Sequence, residues 1–176
     1  MTEQIFTIGH SSRTLTELLT LLAGSRIELV IDVRKLPGST RYPQFDEDAL
    51  SASLGETGIE LRRFEGLTGR RPVNRDVPFE VNAWWDNRSF HNYADHALGN
   101  DFRNSLVELR ACAQVSRTAI MCSEAVWWRC HRRIIADHLL AWQDDVRHIL
   151  SETRIEPAQL SSGAVIGAHR RVTYPG

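Results

Sequence analysis

Residues 4–34 read QIFTIGHSSRTLTELLTLLAGSRIELVIDVR. The apolar run QIFTIG is short and stops at a glycine, as a buried strand entering a turn does. Thr14-Leu15-Thr16-Glu17 has the spacing of a capping box. Leu15, Leu18, Leu19 and Leu22 then follow at helical intervals, and Gly24 closes the helix. Ile27-Glu28-Leu29-Val30-Ile31 is a second β-rich run, leading directly into Asp32-Val33-Arg34. Strand, helix and strand within about 30 residues is the size of one βαβ unit. That unit points to an α/β fold.

The rest of the chain keeps the alternation. The loop from Pro37 to Pro43 carries Ser39, Thr40 and Arg41, and a helix is predicted from near Asp46 to Gly55. Ile59–Phe64 alternates like a half-exposed strand. Residues 65–88 have no clear period, hold two prolines and are dense in acids and arginines. A segment that long suggests a lid or binding loop. Helical spacing returns from Phe90 through Ala113. Arg117–Cys122 is a continuous apolar run suited to the centre of a parallel sheet. Ile134, Ile135, Leu139 and Trp142 mark another helix, and Val146–Leu150 a last strand. The expectation is one α/β domain over residues 1–150: a mostly parallel, open, Rossmann-like sheet of about five strands with helices on both faces. Residues 151–176 would form a tail packed on it or partly mobile.

Bulk properties exclude several classes. A chain of 176 residues is about one domain and buries roughly 70% of its unfolded surface without staples. It has 42% hydrophobic residues, 24% charged residues and a net charge of -1. A broadly basic surface for coating nucleic acid is therefore not expected. No apolar run approaches the roughly 18 residues of a membrane span. MTEQIFTIGH lacks the basic start and long apolar stretch of a secretory signal. Three unevenly spaced cysteines make no disulfide framework. A cytoplasmic setting fits these features. Lys35 is the only lysine among 21 basic residues, a bias that fits either a GC-rich genome or a local preference for guanidinium forks on anions.

Three predicted strands end in polar tripeptides: Gly9-His10-Ser11, Asp32-Val33-Arg34 and Cys122-Ser123-Glu124. In a parallel sheet these would share the rim where ligands of open α/β folds bind. Cys130-His131-Arg132 would fall in the first turn of the next helix, where free amides favour a thiolate. Ordinary packing is the competing fate of Cys130.

These segments, together with Thr7-Ile8, Pro37, Phe45, Tyr93-Ala94 and His148-Ile149, resemble the motifs of the family catalogued as domain of unknown function 488. The resemblance covers about residues 4–150. It implies an α/β fold and a shared polar pocket, with no established reaction. The segment Val126-Trp127-Trp128-Arg129 departs from it, since family members more often carry a short acidic or proline-bearing turn there.

The chemistry expected at the rim is hydrolysis or glycosyl transfer on a small anionic substrate, such as a nucleotide or nucleic-acid end. Glu124 and Asp32 would be the paired acids and His10 a proton shuttle. Arg34 and Arg132 would grip the anion. Ser11, Tyr93, Cys122, Cys130 and His131 would complete the binding walls, while Trp84, Trp85, Trp127 and Trp128 offer stacking surfaces. A purely architectural reading pairs Asp32 with Arg132 and Glu124 with Arg34. Two other classes compete: a non-catalytic nucleotide- or anion-binding regulatory module, and a metal-binding or thiol redox protein. The metal reading is weak because no cysteine pair has zinc-knuckle spacing. A thiol-phosphatase loop fits poorly too, since Cys122 and Arg129 have six residues between them, one more than such loops use. No metal ligand set and no cofactor is assigned.

Overall fold

The computed structural model describes residues 4–38 and 40–176. Residues 1–3, at the start of the expected domain, and Ser39 lie outside them. Strands β1 (Gln4–Gly9), β2 (Leu29–Asp32), β3 (Glu60–Arg63), β4 (Thr118–Cys122), β5 (Asp145–Ile149) and β6 (Ile155–Pro157) form one sheet in the order β3-β2-β4-β1-β5-β6. All neighbours run parallel except β5 and β6. The helices are α1 (Leu15–Gly24), α2 (Glu47–Glu56), α3 (Arg88–His96), α4 (Asn100–Val115) and α5 (Arg132–Ala141). This is the single, mostly parallel, Rossmann-like α/β domain that the sequence pattern predicts. It has one strand more than expected, because β6 arises from the segment read as tail.

The opening unit forms as its signals require. Thr14 caps α1, its side chain accepting from the Glu17 amide while the Glu17 carboxylate accepts from the Thr14 amide. However, β1 and β2 are not neighbours: β4 lies between them, paired Gly9 to Cys122 on one side and Asp32 to Met121 on the other. Three strand ends therefore meet with β4 in the middle. Full burial of every β4 residue follows from that central position.

Side-chain alternation sends successive residues to opposite faces. Phe6, Ile8, Val30, Ala119 and Met121 pack with Leu18, Leu21 and Leu22 of α1 and Leu50 and Leu54 of α2. Ile5, Leu29, Ile31, Ile120 and Cys122 pack with α3, α4 and α5. Residues 158–176 lie against this second face. They include a hairpin of β7 (Val165–Ile166) and β8 (Val172–Thr173). Tyr174 is fully buried, donates its hydroxyl to Asp137 Oδ2 at 2.7 Å and bonds by its backbone to Val81 and Trp84. Among the described residues no helix is long and apolar enough to cross a membrane.

Candidate functional site

The strand-end rim divides in two because of the alternation just described. On the α1/α2 face, Asp32 is wholly buried and receives Arg34 in a fork: Nε to Oδ1 at 2.9 Å and Nη2 to Oδ2 at 2.8 Å. The Arg34 amide also donates to Oδ1 at 3.0 Å, and Arg34 Nη1 reaches the Phe45 carbonyl at 2.7 Å. Both oxygens of the carboxylate are thus occupied. The His10 ring packs on Phe45 with centroids 4.4 Å apart, and its Nδ1 meets the Ser11 carbonyl at 3.0 Å. Burial lowers the His10 pKa, with the Arg34 charge adding to it.

On the α5 face the rim holds sulfur. Cys122 Sγ and Cys130 Sγ stand 2.8 Å apart as free thiols. Arg132 has no exposed surface. Its Nε donates to Cys122 Sγ at 3.0 Å, Nη1 to Thr7 Oγ1 at 3.0 Å and Nη2 to the Glu124 carbonyl at 2.6 Å. Its backbone amide, the first of α5, meets Cys130 Sγ at 3.4 Å. Behind it, Thr7 Oγ1 bonds His148 Nδ1 at 2.6 Å, and the His148 ring stacks on Trp127 at 4.6 Å.

The two thiols are driven apart electrostatically. Burial pushes the Cys122 thiol well above its ordinary value, and its hydrogen bond to Cys130 adds to that. Burial also pushes the Cys130 thiol up, but the Cys122 hydrogen bond, the Arg132 charge and the Arg132 amide outweigh it. Cys130 is brought down to about 7. Of the two, Cys130 is therefore the thiol that ionises more readily and Cys122 the one that holds its proton. Burial lowers the pKa of His131 and keeps it neutral. Its Nε2 lies 2.9 Å from the Val33 carbonyl, which as an acceptor assigns the ring proton there. Nδ1 is left as an acceptor 3.4 Å from Cys130 Sγ.

Two glycines admit this arrangement. A Cβ on Gly9 would fall 1.6 Å from the Glu124 carbonyl oxygen, and one on Gly69 would fall 2.8 Å from His131 Nδ1. Gly69 also donates its amide to Val33, so the loop after β3 is laid against the thiol site.

Cys122 and Cys130 form part of the wall of a polar cleft of about 370 Å³. Ser123, Glu124, Tyr93 and His131 share that wall, with cations from Arg34, Lys35, Arg70 and Arg129. That volume lies within the range of about 300–1,000 Å³ typical of small-molecule sites. Tyr93 does not aim its hydroxyl at a ligand; it donates to the Leu67 carbonyl at 2.7 Å, leaving the ring as the surface offered.

The structure therefore brings Glu124, Cys122, Cys130, His131, Tyr93 and Arg34 together at the cleft. It does not bring Asp32, His10, Ser11 or Arg132 to the cleft wall. The tryptophans are elsewhere as well. Trp85 is buried beside Tyr174, Trp84 packs edge-on against Trp85, and Trp127 covers His148. Neither architectural pairing expected from sequence forms: Asp32 takes Arg34, and Arg132 binds sulfur, a hydroxyl and carbonyls. Sequence reasoning assigned Thr7 and His148 no role in the site beyond their place in the motifs; for Thr7, a hydroxyl within a mostly apolar strand was the available signal. It missed Gly69, Arg70 and Arg129. The first two lie in the segment read as a possible binding loop. Among the described residues no group of three His, Cys, Asp or Glu side chains is placed to hold a metal ion.

A family model described as Domain of unknown function DUF488 matches residues 14–139. The chain belongs to this family. The DUF488 match takes in β2, β4, the cysteine pair and all but the end of α5, while Gly9-His10-Ser11 and His148-Ile149 fall outside it. Searches of curated proteins and of solved structures found no match.

Proposed function

We propose that the chain is a thiol-dependent hydrolase or group-transfer enzyme acting on a small anionic substrate, nucleotide-sized and phosphate-bearing, in the cleft beside β4. The observation that carries this reading is the free Cys130 sulfur, 2.8 Å from Cys122 Sγ and 3.4 Å from the Arg132 amide, on the wall of a cleft edged by cations. Cys130 attacks the electrophilic carbon or phosphorus of the substrate, forming a covalent S-linked intermediate as the leaving group departs. Glu124, exposed on the same wall, gives that leaving group a proton. It then takes one from water, whose oxygen displaces the sulfur and restores the thiolate. The sum is substrate plus water giving two products, or transfer when an alcohol or amine replaces water. Arg70 and Arg129 hold the anionic group, and the His131 ring forms the wall beside the nucleophile.

Iodoacetamide labelling against pH, with the modified cysteine located by mass spectrometry, tests the premise. Cys130 should label with a half-maximum near pH 7, and millimolar phosphate or a nucleoside monophosphate should slow it. Labelling that rises only near the ordinary thiol range, or that anions leave untouched, would remove the nucleophile from this scheme. Turnover would then be sought across phosphoesters and nucleotide N-glycosides, with Cys130→Ser and Glu124→Gln each abolishing it. Tight binding with no product from the unaltered chain would favour the regulatory-module reading.

The sulfur separation of 2.8 Å favours one second reading, a dithiol redox pair. There, Cys122 and Cys130 would lose two protons and two electrons to an oxidised disulfide and become linked themselves. Quantifying free thiols across a glutathione redox series separates the two. Linkage of this pair at mildly oxidising ratios supports redox chemistry, and persistence of both thiols argues against it.

A further inference from the structure

A second concavity lies on the α4/α5 side of the molecule, outside the cleft and sharing none of its residues. It is about 330 Å³ and is floored by Phe102, Leu106 and Val107 of α4 and by Trp142 just after α5. Its basic members are Arg103, Arg110, Arg170 and Arg171, with two histidines, and no acidic residue lines it. Arg110 is neutralised by Asp144 at 2.6 Å, and Arg170 donates to the Ala141 carbonyl. These two guanidiniums stand over the Trp142 ring, 4.7 and 5.8 Å from its centroid. Arg103 and Arg171 are exposed and form no ion pair among the described residues. One buried atom at this site has no partner either: Nε2 of His138, whose ring edge meets Phe102 at 4.7 Å. A buried nitrogen left without a hydrogen bond carries an uncompensated desolvation cost. A polar ligand group would relieve it.

We propose that this groove is a second ligand site, built for a small molecule with an apolar, ring-sized body and a carboxylate. The body lies on Phe102, Leu106 and Trp142. The carboxylate is held by Arg103 and Arg171 at the mouth and reaches the unpartnered His138 nitrogen within. Three features converge on that chemistry: an apolar floor, cations free at the rim with no acid among them, and one buried polar atom awaiting a partner. An apolar floor alone would suit many molecules. The unopposed charge selects an anion, and the single inner nitrogen selects one compact polar group over an extended polar ligand.

Titration of the full chain with naphthalene-2-carboxylate, followed by calorimetry and by the NMR signals of the Trp142 indole and the His138 ring, tests the proposal. One-site binding that shifts both signals is expected. Naphthalene-2-methanol, the neutral analogue, should bind at least tenfold more weakly. The double variant Arg103→Ala/Arg171→Ala should lose at least tenfold in affinity, whereas Arg70→Ala/Arg129→Ala in the cleft should leave it unchanged. Absence of heat and of signal shifts at millimolar carboxylate would overturn the proposal. So would equal binding of the neutral analogue, or loss of binding in the cleft variant instead of the groove variant. None of these outcomes depends on the cleft's chemistry.

Discussion

The two halves of the strand-end rim use buried charge in opposite ways. Asp32 and Arg34 close on each other, so the α1/α2 half contains an ion pair with its carboxylate satisfied. On the α5 half, Arg132 is equally buried but faces sulfur, a hydroxyl and carbonyl oxygens, with no carboxylate bonded to it. Its positive charge is therefore available to stabilise a thiolate. A buried cation beside a carboxylate is architecture; one beside two thiols shapes reactivity.

Removing Arg132 should break that contrast most severely. Arg132→Ala strands Cys122, Thr7 and the Glu124 carbonyl in the interior, at an expected cost of about 4 kcal/mol, read from urea unfolding. Cys130 labelling should move toward the ordinary thiol range in any folded fraction. Asp32→Asn leaves the Arg34 guanidinium buried without its counter-charge and should cost about 3 kcal/mol by the same measurement. It should leave the Cys130 labelling profile in place, because Arg34 bonds to Asp32, His10 and the Phe45 carbonyl and to neither thiol.

Acid stability sharpens the comparison further. His138 and His148 are held at about 3 by burial, with the Arg132 charge assisting at His148, against 6.5 for a free imidazole. Their unfolded forms bind protons that the folded forms refuse, so stability is full above pH 6.5 and falls as pH drops toward 3. Each contributes a slope of up to about 1.4 kcal/mol per pH unit in that window. His138→Leu should remove about one proton from the slope measured by unfolding across it. The smallest stability effect belongs to Glu124→Gln, within about 0.5 kcal/mol, because its side chain is exposed. Its expected consequence is loss of turnover, and a large fall in stability would show that it is a structural residue.

Much of the fold was legible because its signals are local. The capping box of α1, the apolar run of β4 and the period of α5 each declare themselves within a few residues. Strand order was not, since nothing in QIFTIG or LVID says that β4 will insert between them. The site was half legible for a related reason. Collecting strand ends onto one rim identified Glu124, Cys122, Cys130 and His131, but the pleat gives each residue a face as well as an end. Asp32 follows Val30 toward α1 and α2, whereas Cys122 follows Ile120 toward α5. Of the paired acids read from sequence, Asp32 is therefore closed on Arg34 and kept off the cleft wall that Glu124 lines. Arg132 looked like an anion clamp because Arg beside Cys and His in a first turn suggests one. That it turns inward depends on Thr7, far away in sequence.

Gly9 and Gly69 have a use beyond this molecule. At each, a single methyl group would collide with the β4–α5 connection or with the histidine that follows Cys130. A chain of the same topology bearing a side chain at either place must hold that connection differently. These two positions therefore serve as a filter on sequence alone. They sort proteins able to assemble the thiol cleft from those sharing only the sheet, before any cysteine is counted.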